Sequence, residues 1–148
     1  MDATKQTLAL KATCLLSAVL ALATPIRTAG SASYFLTKAC GGGICFNFGS
    51  ALLPWTTKGQ ATLAMICLAL IVSLAQTVLH FTATPPNHAL LGKLSIPNAF
   101  FFMVAFAIVA SDDAPAGVSY GAGFAFMIIG WLTSMGHFAV SNKAAASA

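Results

Sequence analysis

Residues 62–80 read TLAMICLALIVSLAQTVLH, and this stretch decides the fold. It holds no Asp, Glu, Lys or Arg, and its strongly polar members are Gln76 and the terminal His80. At about 1.5 Å rise per residue, a helix of this length matches a hydrocarbon core about 30 Å thick. The apolar residues neither alternate as in a half-buried strand nor leave a charged face as in a surface helix.

Three further runs have the same character. They are broken at Pro25, at Pro85-Pro86 and near Pro115 and Gly117. The predicted architecture is an all-α membrane protein: a four-transmembrane-helix bundle with both termini on one side. The helices are expected at about 6–26, 61–80, 94–111 and 118–140, joined by a long first loop at 27–60, and residues 1–148 form one membrane domain. Pro97 is expected in the first turn of the third helix, where its missing amide costs nothing. Every backbone amide in hydrocarbon needs a partner, which helices supply internally, and the alternation of a membrane β-barrel is absent.

Composition agrees. The chain is 58% hydrophobic and 7% charged, against about a quarter charged in soluble domains. Its seven bases are Lys5, Lys11, Arg27, Lys38, Lys58, Lys93 and Lys143, and its acids are Asp2, Asp112 and Asp113. The bases are scattered singly, so nucleic acid is not an expected partner. They read as lysines at lipid headgroups, and the bilayer and bound lipids are the expected surroundings.

Four spans put Lys5, Lys11, Lys93 and Lys143 on one side, and Arg27, Lys38 and Lys58 with the Asp pair on the other. The positive-inside rule then favours cytosolic termini, in a plasma or organelle membrane. Cys40 and Cys45 lie in KACGGGICFNF, where glycines permit a tight turn that lets the pair close as a disulfide facing an oxidising space. Cys14 and Cys67 read as small core residues. The first run also carries features of a secretory signal peptide, with Lys5 and Lys11 ahead and TAGSAS behind, but it is longer than a usual signal core and is expected to be a retained helix.

Chemistry is sparse. No phosphate loop, metalloprotease or nucleophile-elbow motif is present, and the chain is not expected to be an enzyme. Apart from Lys11 near one end, the runs contain no Asp, Glu, Arg or Lys in their interiors, as a carrier or proton channel would need. Gln76 is expected to make an interhelix hydrogen bond. His80 and His137 fall near one membrane face, so they form the one pair that a haem could bridge, against a plainer reading as interfacial side chains. No cofactor is predicted, and no metal.

Small residues mark the expected packing faces: Gly117, Gly121, Gly123 and Gly130 in the fourth run, with Gly136 beyond, and Ala69 and Ser73 in the second. They allow close helix approach, either within the bundle or to other subunits. Phe100, Phe101, Phe102 and Phe106 would offer a bulky surface to lipid or a partner. Tyr34, Trp55 and Tyr120 suit interfacial belts, while Trp131 falls deeper in the fourth run.

The order of parts resembles the claudin-like tetraspan families, including the amastins: a helix, a long first loop with two cysteines, an Ala/Leu-rich second helix, and a short loop into SYGAGFA (119–125), followed by Gly130 and Trp131. The claudin Gly-Leu-Trp before the first cysteine is replaced by Tyr34, Phe35 and Leu36. The resemblance carries over a loop-stabilising role for Cys40 and Cys45 and no further activity. The functional expectation is a non-catalytic tetraspan that organises membrane or assembles with itself or with other membrane subunits. The alternatives are an accessory subunit of an organellar or bacterial energy-transducing complex, and an oligomeric channel.

Overall fold

The computed structural model describes residues 3–47, 57–83, 87–111 and 116–146. Four helices, α1 (Ala3–Ala23), α2 (Thr57–Thr82), α3 (His88–Ala110) and α4 (Ala122–Ala146), are each long and apolar enough to cross a bilayer. They stand at four corners: α1 packs on α2 and α4, and α3 packs on the same two.

One end of the bundle carries a sheet. Residues predicted as loop form β1 (Arg27–Ala29), β2 (Ala32–Tyr34), β3 (Lys38–Gly41) and β4 (Ile44–Asn47), while β5 (Ser119–Tyr120) comes from the α3–α4 connection. The sheet is antiparallel throughout, in the order β4-β3-β2-β1-β5. Gly42 and Gly43, at φ +58° and +82°, form a two-residue turn between β3 and β4. This left-handed conformation at both positions gives the hairpin its tight reversal.

The helix bounds differ from the predicted ones for local reasons. α1 stops at Ala23, because the Ile26 amide turns to Tyr34 O in the sheet. α4 starts at Ala122, because Ser119 and Tyr120 pair with Thr28 and Arg27. α3 starts at His88, where the Asn87 side chain accepts the Leu90 amide as an N-cap. Pro97 is therefore inside α3 rather than in its first turn, and Lys93 is an exposed helical residue rather than a loop end. Trp55, Asp112 and Asp113, named among the expected interfacial and loop features, lie outside the described residues.

The half of the bundle beside the sheet has an apolar core built from Ala18, Ala21, Ile66, Ala69, Phe102, Ala105, Val109 and Met127. The outward faces of the helices are also apolar. Leu16, Ile71, Val78, Ile96, Phe100 and Leu132 are all more than half exposed. The predicted phenylalanine surface is divided: Phe100 points out, Phe102 is buried, and Phe101 and Phe106 pack against the core. Trp131 packs beside Phe106 against the core, away from the helix ends as expected.

Candidate functional site

The other half of the bundle is filled with polar side chains. At mid-length each helix contributes one: Cys14, Ser73, Asn98 and Ser134, all buried. Asn98 Nδ2 donates to Ser73 Oγ at 3.0 Å and to Cys14 Sγ at 3.1 Å. Cys14 Sγ lies 3.1 Å from Ser134 Oγ, which in turn donates to Gly130 O at 2.8 Å. Asn98 Oδ1 has no partner among the described residues. Gln76 makes the expected interhelix bonds, with Nε2 donating to Leu91 O at 3.1 Å and to Ser95 Oγ at 3.0 Å. Where hydrocarbon surrounds a bundle, such contacts bind helices that gain little from hydrophobic burial.

Closer to the chain termini the interior becomes basic. His137 is 2% exposed. Its Nδ1 shares a 2.5 Å hydrogen bond with Ser95 Oγ, and its Nε2 lies 3.3 Å from Ser141 Oγ. His80 (7% exposed) and Lys11 (3% exposed) are buried beside it, and Lys11 and His88 are within electrostatic range of both histidines. Lys11, expected among the headgroup lysines, is buried in the bundle: the α1 register carries Thr7, Lys11, Cys14 and Ser17 on one buried stripe. Both ring nitrogens of His137 are engaged, so coordinating a haem iron would require breaking a serine bond. No three metal-ligating side chains converge among the described residues.

The predicted packing glycines are used within the chain. A Cβ at Gly130 would stand 2.5 Å from Cε1 and Cζ of Phe102. One at Gly123 would stand 2.8 Å from Thr24 O, and one at Gly121 would collide with Pro25 O. The amides of Gly121 and Gly123 donate to Ile26 O and Pro25 O, both at 2.8 Å, which seats the start of α4 on the end of α1. Ala69 and Ser73 are buried against neighbouring helices. These positions are therefore closed to another subunit. Gly117 differs: it lies outside α4, exposed, at φ +86° with open space around it. Its role is the reversal into β5, which requires a left-handed residue.

At the sheet end, Cys40 and Cys45 occupy directly paired positions of β3 and β4 and are joined by a disulfide. Arg27 donates to Val109 O at 2.7 Å and lies 5.8 Å from the centre of the Tyr120 ring, and Tyr120 stacks on Phe124. The sheet is thus anchored to α3 and α4. Among the described residues β4 is an edge strand, and all four of its residues are exposed, Ile44 and Phe46 included. Sequence reading missed this sheet, although the Gly42-Gly43 turn between the cysteines was a usable hairpin signal. The chain matches no family model and no curated protein.

Proposed function

We propose that this chain is a four-span membrane protein, non-catalytic, whose role is to organise membrane by assembling with copies of itself or with other membrane subunits. The observation that carries the bilayer reading is the inverted distribution of polarity. Leucine, isoleucine, valine and phenylalanine cover the outside of the helices, while Thr, Ser, Asn, Gln, His and Lys side chains fill the inside of one half. In water this arrangement would expose a continuous apolar belt far beyond what a soluble monomer carries. In lipid it is the ordinary one, with polar groups turned inward to find partners.

Assembly is supported by the sheet. Among the described residues β4 leaves its outer backbone edge unpaired, with Ile44 and Phe46 exposed, and the disulfide holds that hairpin in shape. Exposed edges of this kind template pairing with another chain. The termini belong on the cytosolic side and the sheet in the oxidising space opposite. The claudin-like resemblance fits this reading through the cysteine pair of the first loop.

The test is gentle extraction followed by native mass analysis, with Phe46→Lys as the variant. The native chain is expected as an oligomer or in a complex with membrane subunits, and Phe46→Lys as a monomer. A native chain carrying only lipid would refute the assembly role. Single cysteines in place of Ser31 and Ala144 are expected to react with an impermeant thiol reagent from opposite faces of the membrane. Labelling from one face would refute the topology.

A further inference from the structure

The interior near the termini holds buried basic groups with no carboxylate beside them among the described residues. Lys11 Nζ, His80 Nδ1 and His88 Nδ1 are buried and have no hydrogen-bond partner among the described residues. They come from α1, α2 and α3. The described residues include no aspartate or glutamate. Helix dipoles do not supply a negative charge at this end either. α1 and α3 begin at this end while α2 and α4 finish there, so their partial charges offset one another. A buried ammonium without a counter-charge costs several kcal/mol.

We propose that Lys11, His80 and His88 form a binding site for an anionic phosphate group, supplied by a membrane lipid headgroup. With the imidazole protons on Nδ1, the three nitrogens are donors and suit the several oxygens of one phosphate. Depth fits. Lys11 is six residues beyond Lys5, the start of the first apolar span, or about 9 Å along the helix, and a helical side chain leans back toward the N-terminus. His80 is in the last turn of α2 and His88 opens α3. The site therefore lies where headgroups meet acyl chains. A lipid is favoured over free phosphate because Leu8, Phe81 and Leu90, from the same three helices, are exposed at this level, and Phe81 sits edge-on to the His80 ring at 5.5 Å. They offer an apolar wall to acyl chains directly beside the basic cluster. Basic pockets between membrane helices capture anionic headgroups by this chemistry.

The site rests on the bilayer reading above, and the experiment separates the two. The full chain is purified in micelles doped with phosphatidylglycerol or phosphatidylcholine, and bound lipid is read by native mass analysis and thermal midpoint. The native protein is expected to retain one phosphatidylglycerol, and Lys11→Met to bind it about ten-fold more weakly, the equivalent of one charged contact. Lys93→Gln, which removes an exposed lysine at the same end, is expected to bind as the native chain does. In phosphatidylcholine alone, Lys11→Met is expected to be at least as stable as the native protein, because an unpaired buried charge is gone. Phosphatidylglycerol raises the midpoint of the native protein more than that of the variant. His88→Ala, at a helix start, gives an independent reading of the same loss. Equal retention by the native chain and Lys11→Met, or no preference for phosphatidylglycerol over phosphatidylcholine, overturns the site. An equal midpoint gain from inorganic phosphate overturns the lipid source. A chain that stays in membranes but ignores phosphatidylglycerol sinks the site alone, whereas one released by alkaline extraction sinks the spanning reading.

Discussion

Replacing Gly130 by alanine tests whether α3 and α4 touch as closely as the structure describes. The added Cβ would lie 2.5 Å from Cε1 and Cζ and 2.8 Å from Cδ1 of Phe102, against about 3.5–4.0 Å for ordinary carbon contact. The deficit is about 1 Å. It falls on a rigid ring that is fully buried among the α1, α2 and α4 side chains of the core, so the ring cannot swing aside. Overpacking of this kind costs about 1–3 kcal/mol. Alanine returns about 1 kcal/mol through its better helix propensity. The net expectation is a loss of about 1 kcal/mol, read from the midpoint of unfolding in a denaturing detergent titration followed by circular dichroism. The decisive comparison is the same change in a Phe102→Ala background. There the ring atoms are gone, propensity acts alone, and Gly130→Ala is expected to stabilise by up to about 1 kcal/mol. A native-background variant as stable as the parent, or equal effects in the two backgrounds, would refute the contact.

Gly121→Ala is expected to be worse than Gly130→Ala, at about 2 kcal/mol or more, because the obstacle is the Pro25 carbonyl and backbone yields less than a side chain. Gly136→Ala is its counterpart: the new Cβ meets Leu10 at an ordinary 3.6 Å, so the variant is expected to unfold no earlier than the parent, and an early transition would contradict this packing. Cys40→Ser is expected to loosen the β3–β4 hairpin by about 2 kcal/mol, the loop-closure value for so short a ring, while leaving the helices intact. Faster amide exchange confined to β3 and β4 is the readout, and exchange that spreads into the helices would contradict it. Gln76→Ala is expected to cost about 0.5–1.5 kcal/mol by losing its bonds to Leu91 O and Ser95, again by detergent titration.

The helices were legible in the sequence because length and apolarity are properties of a run, and each run is bounded by prolines or small polar residues. Their ends were less so. Lys93 looked like a boundary, yet a lysine on the outer face of a helix can reach the headgroups from within a span, and Asn87 was the cap that marked the true start. The strands were hidden because β1 to β4 are three or four residues long and rich in Ala, Ser, Gly and Cys, types with little strand preference. The polar interior was hidden for another reason. Gln76, His80 and His137 were weighed singly, and taken singly each has an unremarkable explanation. Set at helical spacing, Ser73, Gln76 and His80, then Ser95 and Asn98, then Ser134, His137 and Ser141, form stripes at i+3, i+4 and i+7 that face one another. A stripe of polar residues on an apolar helix is the membrane counterpart of the hydrophobic stripe on a soluble one.

β1 has two neighbours made at very different times. Its pairing with β2 joins residues a few positions apart, while its pairing with β5 joins Thr28 to Ser119. The β1–β4 meander and the Cys40–Cys45 bond involve only residues 27–47, so they can form with β1 still open along its outer side. That side closes only when the connection from α3 to α4 is in place. The two-residue strand thus ties the last part of the sheet to the docking of α4, and the sheet is complete only in a chain whose four helices are packed.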